Sequence, residues 1–300
     1  MEHSVTFSNR WMRAVDGGHR RLFGLVAVAI AIVTLAISLF GGVALYRAAP
    51  DVSTLLGGEL GLALDRSLLY LCTLAPLYAV TLASLAFERR ERLARPAGAA
   101  RAAALGLAFG LLGFLTAFCV AGLLGGVRMG ADVSPWAHRL TGATIAAILS
   151  LFQVSGEELF FRGWLQPVLG ARWGAWIGLI TTSALFAAAH AVTGPISILA
   201  IVNDMLAGAV FGLLALRSGG LWAPILAHWG WNWTEQSLLG LTPNPGVDAL
   251  GSLFDFDLTG APLISGGTDE MNGSVAATAS LLLMLLLAAL WRARLKRGSS

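Results

Sequence analysis

Eight runs of about twenty apolar residues recur along this chain, the length that crosses a hydrocarbon core. They lie at 22–46, 68–87, 102–127, 141–162, 174–192, 196–216, 221–241 and 274–291. Nothing else in the sequence constrains the fold as strongly. In lipid every backbone polar group must be bonded within the protein, so such segments become helices. The expected fold is all-α: a polytopic membrane helix bundle of about eight transmembrane helices. The fourth run stays apolar past 162, through Leu165, Val168 and Leu169. Composition agrees, with 56% hydrophobic and only 12% charged residues in 300. Soluble domains carry about 25% charge. An ordinary soluble globule, a disordered chain, a disulfide scaffold and a nucleic-acid binder are therefore excluded.

The basic residues sort by topology. With the N-terminus inside, 16 of the 20 Lys and Arg fall in segments on that side and 4 (Arg47, Arg66, Arg128 and Arg139) on the other. That asymmetry is the positive-inside pattern, and it predicts cytoplasmic N- and C-termini. The segment 242–273 carries five acidic residues and no Lys or Arg, and reads as an acidic extracytoplasmic loop. No cleavable leader is evident, because the first apolar run is too long for one. Heavy Arg, Ala, Leu and Gly usage points to a bacterial source, and hence to the inner (plasma) membrane. Cys72 and Cys119 lie in apolar runs without a CxxC motif, and are expected to be buried free thiols. Gly106–Gly110 and Gly122–Gly126 are GxxxG pairs suited to close helix packing within the chain.

Ionisable groups inside spans are costly, and so mark function. Spans one to three contain essentially none. Glu157, Glu158, Arg162, His190, Asn203, Asp204, His228, Asn232 and Glu235 all fall in spans four to seven. At i,i+4 on a helix, Glu158 and Arg162 neutralise each other. Glu157 is turned by about 100° and lacks that partner, so it is the chemical carboxylate of the pair. His190 follows Phe186 by one turn, and Asn232 follows His228 by one turn. Glu157, His190 and His228 form a set able to ligate zinc with an open position for water. Alternatively, Glu157 and His190 deprotonate a water directly, while His228 and Asn232 hold an oxyanion. Either version hydrolyses a peptide bond. Asn203 and Asp204 are expected to bond between helices, gate a cavity or carry a proton. Glu235, two turns beyond His228, either supports the site or lies near a helix end.

These residues carry a resemblance. Glu157-Glu158…Arg162, Phe186…His190 and His228…Asn232 are similar, in order, to the EExxxR, FxxxH and HxxxN/D motifs of the CPBP family, the CAAX-protease and bacteriocin-processing (Abi) intramembrane proteases. The resemblance covers about 142–241. It implies an intramembrane metalloprotease of the type II CAAX prenyl endopeptidase kind. Its catalytic residues would be Glu157, Glu158, Arg162, His190, His228 and Asn232, with Glu158 and Arg162 in support. It also implies a divalent metal such as zinc, held by Glu157, His190 and His228. The partners implied are a peptide or membrane-protein substrate and the lipid bilayer. The chain then divides into an N-terminal part (1–141), a catalytic core (142–241), the acidic loop (242–273) and a last span with a basic tail (274–300). The competing readings are a non-catalytic scaffold or bacteriocin-immunity protein and a proton-coupled transporter. The absence of an internal repeat argues against the transporter.

Depth poses a question. Counted from the cytoplasmic ends at helical rise, Glu157 lies about 18 Å deep, His228 about 12 Å and His190 about 26 Å. Either span five starts deeper, or the connection near Gly163, Pro167 and Gly170 dips into the membrane; a cytoplasm-facing wet cavity among spans four, five and seven is expected.

Overall fold

The computed structural model describes residues 20–87, 98–130, 134–192, 197–241 and 250–291. Twelve helices are found among them. The first apolar run forms α1 (Arg20–Ala36), a π-helical stretch at Ile37–Gly42 and α2 (Val43–Ala48). A short α3 (Val52–Leu56), capped by the Asp51 side chain, leads into α4 (Gly58–Phe87). Next come α5 (Ala99–Leu123), α6 (Trp136–Glu158), a second π-helical stretch at Leu159–Leu165 and α7 (Gln166–Trp173). Then follow α8 (Ala175–Ala191), α9 (Ile198–Ser218) and α10 (Trp222–Trp233), the last running on into a third π-helical stretch at Thr234–Leu238. The short α11 (Pro262–Ser265) and a 3₁₀ turn at Gly267–Gly273 precede α12 (Val275–Leu290).

Each of the eight apolar runs lies on helix. Six helical stretches are long and apolar enough to cross a membrane, and Ala175–Ala191 is a shorter apolar one. The outer faces carry Ile30, Val33, Leu112, Ile148 and Leu283 in the open, as suits a solvent of lipid tails. The chain is a multi-pass helical membrane protein. The basic clusters at 10–13, 89–95 and 292–297, on which the inside assignment of the termini leans, lie outside the described residues.

Two boundaries differ from expectation. α4 starts at Gly58, ten residues before the apolar run, and so takes in Asp65 and Arg66. Asp65 is buried, and the Tyr46 hydroxyl donates to it at 2.5 Å. The second span thus contains a carboxylate, tolerated because a hydroxyl from the neighbouring helix satisfies it. The segment 242–273 is also more than a loop. Its described part carries β2 (Phe256–Leu258), which pairs antiparallel with β1 (Val127–Met129). Leu253, Phe254 and Phe256 then donate backbone bonds to Ser237, Leu238 and Leu239. The thiols of Cys72 and Cys119 are free, but neither is buried: Cys119 is exposed and Cys72 half-buried. A sulfhydryl facing lipid needs no partner, so span membership did not dictate burial.

Two apolar clusters build the interior. One joins α5, α9, α10 and α12 around Phe114, Phe211 and Trp231. The other joins α1, α4, α8 and the Leu159–Leu165 stretch around Phe160, Phe161 and Phe186. The first GxxxG pair sets the closest helix contact. A Cβ on Gly110 would stand 2.0 Å from the Ala227 carbonyl oxygen, and one on Gly106 2.3 Å from that of Ala223. α5 and α10 therefore touch backbone to backbone, within the chain, one residue from His228.

Candidate functional site

Arg162 is the largest side chain fully enclosed in the protein. It sits in the π-helical stretch Leu159–Leu165, a wide turn of the kind that recurs at functional sites. Its Nη1 donates to Glu158 Oε1 at 2.6 Å, and its Nη2 to the Gly208 carbonyl of α9 at 3.0 Å. The guanidinium lies 4.6 Å from the centre of the Phe186 ring and 5.5 Å from that of Phe211. An uncompensated charge at 0% exposure would be prohibitive. The pair survives because Glu158 balances the charge, the Gly208 carbonyl accepts from Nη2 and the ring faces attract the cation, although Arg162 Nε and Glu158 Oε2 have no hydrogen-bond partner among the described residues.

The same Glu158 oxygen reaches a third helix. His228 Nδ1, on α10, donates to it at 2.9 Å. The His228 ring stacks on Phe211 at 4.6 Å, with the planes 16° apart. The Glu158 carboxylate, the Phe211 face and the Phe186 ring, 5.9 Å away and edge-on, thus hold the imidazole from three sides. This arrangement fixes the tautomer and leaves Nε2 for chemistry. His190 is held in a parallel way. Its Nδ1 donates to the Phe186 carbonyl at 2.9 Å, and its ring lies 4.5 Å from that of Phe186.

Beside these rings is a small, partly open cavity. His190, His228, Asn232, Asn203 and Asp204 line it, with Phe186, Phe211 and Trp231 as its aromatic walls. Asn272, from the Gly267–Gly273 turn, closes one side. Among the residues expected at a site, the structure thus brings His190, His228 and Asn232 to one cavity. Glu158 and Arg162 stand directly behind His228. Glu157 does not line the cavity: it is half-buried and accepts a hydrogen bond from Gln153 at 3.1 Å. It remains within electrostatic range of Asp204.

The cavity differs in place from the expectation. α8, α9, α10, α12 and the Gly267–Gly273 turn line it, and no residue of span four does. No loop interrupts the fourth helix near Gly163 and Pro167, because it continues to Trp173.

The metal expectation meets a geometric obstacle. The ring settings of His190 and His228 suit ligands, each with Nδ1 engaged. Yet no group of three or more His, Cys, Asp or Glu among the described residues is placed to hold one ion. Glu157, His190 and His228 do not converge as a ligand set in this geometry, so no step is routed through a metal.

Sequence reasoning missed two relations. One is the bond from Glu158 to His228: the i,i+4 spacing explained Glu158 by Arg162 alone, and no local signal names a partner seventy residues away. The other is Asn272, which sits in a segment read as loop. Asp204 did carry a signal, as an acid inside a span. Asn203 bonds between elements as expected, donating to the Asn272 and Ser274 carbonyls and accepting from Thr278. Glu235 is buried, with one carboxylate oxygen lacking a hydrogen-bond partner among the described residues.

Fold and site together define a polytopic helical membrane protein with a buried ionic centre behind a polar cavity. Residues 139–234, the stretch that bears all three motifs, are similar to the family whose model is described as Rce1-like, type II CAAX prenyl endopeptidase Rce1-like. The chain is also similar to an Escherichia coli protein described as an uncharacterized 24.3 kDa protein, at 35% identity over 101 residues. That likeness covers 32% of this chain and 43% of the other, less than half of its length. No solved structure matches the chain.

Proposed function

We propose that the protein is an intramembrane endopeptidase that hydrolyses a peptide bond of a membrane-associated peptide or protein, in a bacterial inner membrane. One observation carries this reading. Two imidazoles and an amide, drawn from two of the three motifs, line one cavity, with His228 buttressed by the fully buried Glu158–Arg162 pair of the other motif. That investment of buried charge orients a single ring.

In this reading His190 accepts a proton from the attacking water through Nε2, with Glu157 as its partner carboxylate. Glu157 would leave Gln153 to reach the water when substrate enters. His228 and Asn232 donate to the oxyanion of the tetrahedral intermediate. Because Nδ1 of His228 already donates to Glu158, donation from Nε2 requires the doubly protonated ring. Glu158 supports that charge, as the buried carboxylate does in a Ser-His-Asp triad. Asn232 supplies a neutral donor one turn away.

The test is cleavage of membrane-peptide substrates by the purified protein in detergent, wild type against Glu157→Ala, His190→Ala and His228→Ala. Losses of 10²-fold or more are expected for the histidines, the range for removed acid–base and oxyanion groups. Cleavage unchanged in all three variants would sink the proposal.

A further inference from the structure

Asp204 has no role in the steps above, yet among the described residues it is the one carboxylate that lines the cavity. It is 8% exposed. Among the described residues no hydrogen bond or ion pair is recorded for its carboxylate, although a buried carboxylate ordinarily has both. Among the described residues no Lys or Arg lines the cavity. The nearby cation, Arg162, is engaged by Glu158 and Gly208. Asp204 lies within electrostatic range of Asp269 and Glu157, as well as of His190 and His228. Glu235 lies within range of Asp204 and Glu270, and one of its oxygens is unpartnered at 1% exposure. Among the described residues Asp204 thus stands in the cavity wall with no Lys or Arg there to balance it, and His190 and His228 are the ionisable bases that share the lining.

These carboxylates are too dispersed to ligate one metal ion. Their fields overlap at Asp204, and Phe186, Phe211 and Trp231 stand beside it. Aromatic faces next to a carboxylate suit an alkyl stem ending in a cation. An inorganic ion would gain nothing from the rings' apolar area. We propose that Asp204 is a specificity residue that binds a basic side chain, lysine or arginine, of the peptide entering the cavity. The assignment of that cation to a substrate rests on the hydrolytic reading, but the binding itself does not.

The test separates the two. Binding of hexylguanidinium and of its neutral analogue hexylurea to the full-length protein in detergent is measured by calorimetry, with empty micelles as blank. Sodium and calcium chloride are run in parallel. Hexylguanidinium should bind at least tenfold tighter than hexylurea, and Asp204→Asn should erase the difference. Equal binding of the two compounds to wild type overturns the proposal even if the variant fails to fold. Persistence of the preference in a folded Asp204→Asn protein also overturns it, as does Asp204-dependent binding of sodium or calcium that displaces hexylguanidinium at lower concentration. A cleavage assay with lysine or norleucine placed along the substrate then reads specificity. If guanidinium binding holds and cleavage is absent, the hydrolytic reading fails while the cation site stands.

Discussion

Glu158 accepts the Nδ1 proton of His228 at 2.9 Å, joining the first motif of the chain to the third across two helices. The same oxygen holds Arg162 at 2.6 Å. One carboxylate therefore serves both as counter-ion and as the bracket for a cavity-lining ring. Stability and activity should separate when it is removed.

Arg162→Met leaves Glu158 buried without its cation and should cost about 3–5 kcal/mol. Glu158→Leu combined with Arg162→Met removes both charges and should recover at least half of that loss in thermal unfolding. Cleavage should stay absent in the double variant, because His228 has lost its bracket. Simple additivity of the two single effects would show that the pair is not coupled.

Gly110 sets the position of His228 through the backbone. Gly110→Ala places a methyl 2.0 Å from the Ala227 oxygen. Overpacking of this kind costs about 1–3 kcal/mol, and the displaced α10 should lower cleavage as well. Gly122→Ala is the control, since its Cβ would meet nothing nearer than Val127 at 3.9 Å. Its melting temperature should match or exceed wild type, as expected where alanine replaces glycine in a helix.

Asn203 ties α9 to the turn that closes the cavity. Asn203→Ala removes donors to two carbonyls and the acceptor for Thr278. A loss of about 1–3 kcal/mol follows from the unsatisfied groups. Hydrogen exchange should rise in 267–273 well before it rises in α9. Uniform exchange across both would show that the turn is held by other contacts.

Chelation distinguishes the two versions of the hydrolytic chemistry. Because Glu157, His190 and His228 do not gather around one point, cleavage should survive a strong chelator, and purified protein should carry zinc well below one equivalent. Loss of activity on chelation with recovery on zinc addition would mean that the ligand set assembles only with metal bound.

Much of this was legible in the residues themselves. Apolar runs of bilayer length placed the helices, because a backbone in lipid has no other way to satisfy its polar groups. The same scarcity of charge made Glu157, Glu158, Arg162, His190, Asp204, His228 and Asn232 stand out, since each is too costly to keep without use. Helical spacing correctly joined Glu158 to Arg162, and the first GxxxG pair correctly pointed to a close contact inside the chain, whereas Gly122 of the second meets nothing nearer than 3.9 Å. Which of these groups share a cavity was another matter. Spacing reports neighbours within one helix, whereas cavity membership depends on where helices end, how they rotate and which backbones touch. The Gly110 contact seats α10 against α5, and His228 on α10 reaches Glu158. Among the described residues Asp204, not Glu157, is the carboxylate on the cavity wall.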